Sequence, residues 1–353
     1  MSTESGRLAR RRTMDRADKA VLRLGCGLGL AVLLAYGLQL GLPFAVCVVV
    51  VLILCRPGPP LPFLNGAVLA AGAALVVGAG MLMVPLLEHY PLAGVMLTGL
   101  LLYALLLRGA GQVTPPAMVL VIALTAIPVA GVAEQSFAAL LARSFGFGIG
   151  IGVLVSGFSH ALFPDPPAPP GPMPVAAPPA APVPASAAAK SLQATLVVLP
   201  VFVLALANPP FYMAALIKSV GLAQQADGAR ARGAGRELVG STLMGAGLAA
   251  LAWLGLSLRP NLPMLALWVV LAALWCGARL FGAVGTSLPR SFWLNALMTM
   301  LILLGPAIED SANGKDVARA SLVRVSLFVI LSLYAWSMVW LLERWRAWRG
   351  RFQ

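Results

Sequence analysis

Long apolar runs, broken by short clusters of proline, glycine and charge, fill this chain from residue 20 to residue 342. A bilayer core of about 30 Å takes about 20 apolar residues as helix, so runs cut at that punctuation predict membrane spans. Twelve segments result, and the fold expected is all-α: a polytopic membrane protein with about twelve transmembrane helices. The first six cover 20–41, 43–55, 61–87, 91–107, 115–132 and 137–163. The second six cover 190–207, 209–222, 237–258, 262–281, 288–307 and 317–342. Segments 2, 4 and 8 are short for a full span, which a thinned bilayer, a steep orientation or a broken helix accommodates.

Between the two sets lies PDPPAPPGPMPVAAPPAAPVPASAAA, residues 164–189, whose proline and alanine content has no core to bury and reads as a disordered or polyproline-like linker. The organisation expected is a basic arm at 1–19, a six-helix membrane repeat at 20–163, the linker at 164–189, a second six-helix repeat at 190–342 and a basic tail at 343–353. Four landmarks recur in order. Arg23 and Lys190 open spans 1 and 7, and the same offset carries Pro43-Phe44 onto Pro210-Phe211. Ile127-Pro128 and Gly305-Pro306 end spans 5 and 11, and Arg143 and Arg324 stand inside spans 6 and 12. With six spans each, the repeats are parallel, an arrangement typical of transporters that bind substrate between halves.

Composition narrows the function classes. Of 353 residues 60% are hydrophobic and 10% charged, and 12 acidic residues with two histidines leave little for a hydrolytic or metal site. Cys26, Cys47, Cys55 and Cys276 show no paired spacing and read as small buried hydrophobes, so neither a disulfide framework nor zinc is expected. A net charge of +13 would suit nucleic acid in a soluble protein, but here the charges sit at segment ends. Twelve spans threaded from a cytoplasmic N-terminus leave only Arg143, Arg259, Lys315, Arg319 and Arg324 outside, so 20 of 25 basic residues, Lys218 among them, face inside. That partition predicts two cytoplasmic termini, and Trp336, Trp340, Trp345 and Trp348 around the last basic run are placed as interfacial anchors. The lipid bilayer is thus the expected partner of the charge, and nucleic acid is not needed.

The sequence Arg236-Glu-Leu-Val-Gly240-Ser-Thr-Leu-Met-Gly245 opening span 9 and Val323-Arg324-Val-Ser-Leu-Phe in span 12 resemble the fusaric-acid-resistance and aromatic-acid-exporter superfamily, over about residues 20–345. Long members carry a large cytoplasmic domain after each membrane unit. Here the Pro/Ala tract and the short basic tail stand in those places, so the chain looks like a membrane-only branch. The resemblance implies a bacterial inner-membrane efflux component, paired in many members with a periplasmic adaptor and an outer-membrane channel, that exports aromatic or other organic acids. It leaves substrate and cytoplasmic regulation open.

Arginine six or seven residues into an apolar helix is costly unless paired, hydrated or snorkelling. Arg143 and Arg324 at matched positions are therefore candidates for a pair gripping a substrate carboxylate, with snorkelling the competing reading. Asn65 and Asn295 are the polar candidates within spans 3 and 11, for substrate contact or for helix-helix hydrogen bonding. Glu134 and Asp316, near the outer starts of spans 6 and 12, and Glu309 and Asp310, on the connection that follows Pro306, are the candidates for proton coupling; as exposed loop carboxylates they would need no function, and the helix dipole alone accounts for Glu134 and Asp316. No nucleotide-binding motif and no polar cluster of an enzyme is seen, and no cofactor or metal is called for. The function expected is a proton-linked exporter of amphipathic organic acids, against a non-transporting scaffold of an envelope complex or a membrane-embedded transferase, with homo-oligomerisation open.

Overall fold

The computed structural model describes residues 16–56, 63–109, 115–164, 184–228 and 231–349. Every regular element among them is an α-helix, in the order α1 (Arg16–Gly37), α2 (Pro43–Leu54), α3 (Phe63–His89), α4 (Pro91–Arg108), α5 (Pro115–Ala133), α6 (Gln135–Leu162), α7 (Pro184–Ala207), α8 (Pro209–Gly228), α9 (Ala231–Leu258), α10 (Leu262–Leu280), α11 (Arg290–Ala312) and α12 (Val317–Arg349). Nine of these are long and apolar enough to cross a membrane; α2 and Ala117–Ala133 of α5 are apolar but shorter, and α8 is in neither group. The chain is a multi-helix protein of membrane character.

Proline at the first turn, where its missing N–H is an orphan anyway, opens α2, α4, α5, α7 and α8. Proline inside a helix does not stop it here: α5 passes through Pro128 to Ala133 and α11 through Pro306 to Ala312, beyond the ends expected at 132 and 307. Four further boundaries shift, among them the start of α9, at Ala231 instead of 237. Helix α7 begins at Pro184 and takes the alanine-rich end of the expected linker, because Ala-Ser-Ala-Ala-Ala is good helix-forming sequence; α8 runs on to Gly228; and α12 continues through the expected tail to Arg349. Most of the basic arm (1–15), most of the linker (165–183) and the last four residues (350–353) fall outside the described residues.

Four helices form an inner ring in which α2 packs on α5, α5 on α8, α8 on α11 and α11 on α2. Their sequences explain the placement: α2 is apolar all round, and every residue from Phe44 to Ile53 is buried, as is α11 without interruption from Phe292 to Gly305. The other eight helices surround the ring, and leucines such as Leu251, Leu254, Leu267 and Leu271 on their outer faces are exposed, as lipid-facing positions are. Helix α1 packs on α2, α6 and α10, and α7 on α8, α12 and α4; α3 packs on α4, α5 and α6, and α9 on α10, α11 and α12. At one end of the first six helices, Arg23 Nε and Nη2 donate to the carbonyl of Phe163 at 2.9 and 2.6 Å, and Lys19 Nζ donates to that of Pro164 at 2.7 Å. Cations on the orphan carbonyls at the end of α6 complement its dipole.

Candidate functional site

Lys218 stands in the middle of α8 and is 1% exposed. The sequence reading places it among the inward-facing basic residues at the end of a span; α8 instead continues two more turns, and the ammonium lies inside the helix packing. Lys218 Nζ donates to Asn295 Oδ1 of α11 at 2.9 Å and to Thr299 Oγ1 one turn along the same helix. Asn295 Nδ2 donates in turn to Ser241 Oγ of α9 at 2.6 Å, and Thr299 Oγ1 donates to the Asn295 carbonyl at 2.6 Å. Ser241 Oγ closes on the Leu238 carbonyl at 3.1 Å. Beside this chain Thr242 and Ser332 share a hydrogen bond of 2.9 Å that ties α9 to α12.

Close helix approach builds the cage. A Cβ at Gly221 of α8 would lie 3.2 Å from Asn295 Oδ1, and one at Gly245 of α9 would meet the Ala296 carbonyl and Thr299 Cβ, each at 2.5 Å. Small residues at these two places let three backbones converge on one ammonium. All its hydrogen-bond partners are neutral oxygens, and Lys218 forms no ion pair among the described residues. A protonated amine matched there only by dipoles would carry an unbalanced charge, so in that state the cage would favour an anion.

Among the described residues, Asn295 is the one expected substrate-binding residue in the cage. Arg324 of α12 instead meets Asp310 of α11, Nη2 to Oδ2, at 2.6 Å without the alignment of a hydrogen bond, and Lys315 stands 3.7 Å from the other oxygen. Arg143 of α6 is exposed, with no hydrogen bond or ion pair among the described residues. Helices α6 and α12 do not pack together, so the two arginines are not brought to one place. The side chain of Asn65 lies outside the described residues. Of the acids expected to carry protons, Glu134 precedes α6 and accepts from Ser136, Asp316 Oδ1 accepts from the Arg319 N–H at 3.1 Å at the start of α12, Glu309 is exposed, and only Asp310 is buried. Among the described residues no group of His, Cys, Asp and Glu is placed to hold a metal. Lys218 is the residue that sequence reasoning leaves out of the site; its signal is a single cation in an apolar run whose counterpart in span 2, at the offset joining the two Pro-Phe pairs, is Val51.

Residues 20–161, from α1 into α6, match a family described as a protein of unknown function (DUF2955). No curated protein and no solved structure matches the chain.

Proposed function

We propose that the protein is a secondary transporter for amphipathic organic anions, an exporter of the inner membrane with both termini in the cytoplasm, in which Lys218 receives the anionic group. The observation that carries this reading is the fully buried Lys218 amine, held by Asn295 and Thr299 with no carboxylate paired to it among the described residues. Ionisable groups inside a membrane protein are costly and mark substrate or ion pathways. In the conformation described the cage is closed, so loading requires α8 to part from α9 or α11, the movement an alternating-access carrier makes.

Two parallel six-helix units fit the packing: the partners of α1 and α3 recur, six helices on, as the partners of α7 and α9. The α1–α10, α4–α7, α5–α8 and α2–α11 contacts then form the seam between units, and two of the cage helices, α8 and α11, border it. The resemblance to aromatic-acid exporters supports a carboxylate as the anion. Asp310, bridged to Arg324 in the same α11 that carries Asn295, is the carboxylate best placed to couple proton movement to the cage.

The test is uptake of radiolabelled benzoate and 1-naphthoate by proteoliposomes holding the full chain. Wild-type protein accelerates uptake over empty liposomes, Lys218→Met lowers it by about tenfold or more, the loss of one charge-assisted contact, and Lys218→Arg retains part of it. A Lys218→Met protein that is folded and transports at the wild-type rate removes the assignment; no uptake of any organic anion by the wild type leaves a scaffold.

A further inference from the structure

Helices α9 and α10 meet closely near their shared turn, where a Cβ at Gly255 would strike the Trp268 indole. A groove of about 700 Å3 opens between them, floored by Met300 of α11 and walled by Gly240, Met244 and Gly247 on one side and Trp268 and Trp275 on the other. Its rims, Leu243, Leu251 and Leu271, are exposed, so the groove faces the bilayer sideways. Gly247 helps make the space: nothing lies within 4 Å of where its Cβ would be.

The end of this apolar slot away from that turn is basic. Arg236 stands one turn before Gly240 in α9, Arg279 one turn after Trp275 in α10, and Arg290 is the first residue of α11, so all three helices bring an arginine to one membrane face. The Arg279 guanidinium lies 4.2 Å from the Trp275 ring centroid and 5.1 Å from that of Trp293, and its Nη1 donates to the Trp275 carbonyl at 2.9 Å. Stacking occupies the guanidinium faces and leaves edge donors for a ligand. None of the three arginines forms an ion pair among the described residues, while Glu237 is engaged in an interaction of its own. A smaller groove of about 310 Å3 lies between α3 and α4 over Leu124 of α5, and Arg108, the last residue of α4, lines it.

We infer that the α9–α10 groove seats an anionic phospholipid of the surrounding bilayer, with an acyl chain along the apolar wall and the headgroup phosphate on Arg279 between Arg236 and Arg290. A basic rim over a lateral apolar slot is the pairing of surfaces that an anionic lipid presents in reverse, and basic pockets between membrane helices take such headgroups. The apolar face of a second copy would fill the slot but leave three guanidinium groups without a counter-charge. The α3–α4 groove, less than half the volume and with one arginine, holds the same lipid more weakly. This inference is independent of transport.

The experiment is native mass spectrometry of the full chain released from nanodiscs of equal phosphatidylcholine and phosphatidylglycerol, beside thermal unfolding with each lipid added alone. The protein retains phosphatidylglycerol in preference and melts higher with it. Gly247→Trp, which projects into open space, and the double change Arg236→Gln with Arg279→Gln each lower that retention about tenfold, the equivalent of one lost charged contact. Equal retention of the two lipids by the wild type overturns the inference even if neither variant folds. So does undiminished phosphatidylglycerol in folded variants, or a dimer that Gly247→Trp dissociates in place of lipid loss.

Discussion

Val51 in α2 and Lys218 in α8 are both buried in the inner ring, at 0% and 1% exposure, and stand at the same distance from a Pro-Phe pair that opens each helix. Helix α2, which carries Val51, packs on α5 and has only apolar side chains from Pro43 to Leu54. Around Lys218 the crossing of α8 with α11 is closed by an ammonium, an amide and two hydroxyls. The spacing between Pro128 and Pro306 extends the contrast to the facing helices, where Ala117 and Val121 of α5 correspond to Asn295 and Thr299 of α11, and Val132 to Asp310. Shape alone holds one crossing, so the polar groups of the other are not what a ring of this kind needs in order to form. Their burial costs desolvation that the apolar crossing does not incur.

The comparison breaks most visibly if the cation is moved to the apolar side. Val51→Lys places a charge where no oxygen is arranged to receive it, a destabilisation of about 3–5 kcal/mol, the range of an uncompensated buried charge. Loss of monodisperse protein on size exclusion is the expected readout, and a folded Val51→Lys protein would show that the Asn295–Thr299 cage is not required to accommodate Lys218.

A smaller effect separates two glycines of one helix. Gly245→Ala drives a methyl into the Ala296 carbonyl and Thr299, and lowers stability by about 1–3 kcal/mol through overpacking. Gly247→Ala points into open space and raises it by up to about 1 kcal/mol, the helix propensity difference. Opposite shifts in melting temperature are expected; shifts of one sign would mean that α9 does not press on α11 at the cage.

The mildest change is Thr299→Val, which keeps the shape but removes one of the two oxygens that receive Lys218 and costs about 1 kcal/mol. It sharpens the contrast further when made with Lys218→Met: the double variant loses less than the sum of the singles, since both changes remove the same hydrogen bond.

The helices themselves were legible, because apolar length and proline at first turns are local properties. Spans 5 and 11 were expected to end soon after Pro128 and Pro306, at 132 and 307; α5 does end there, at Ala133, but neighbouring helices close the gap that Pro306 leaves and α11 runs on to Ala312. Asn295 was legible as a lone amide in an apolar run. Lys218 was not, because the polar residues after it, Gln224 to Asp227, made the span seem to end there, and only the continuation of α8 to Gly228 puts the ammonium in the middle. Arg143 and Arg324 show the converse. Recurrence in sequence marks corresponding places, but corresponding residues meet only when their helices lie beside the seam, and α6 and α12 are outer helices that do not touch.

The tie from Arg23 to the carbonyl of Phe163 joins residues 140 positions apart. During synthesis α1 leaves the ribosome first, and its buried guanidinium has no native acceptor until the end of α6 has followed. Closure of the first six helices is therefore the last event in their own assembly and, since α7 starts only at Pro184, is available before any helix of the second set has emerged. A pause in elongation over the Pro/Ala tract would fall in that interval.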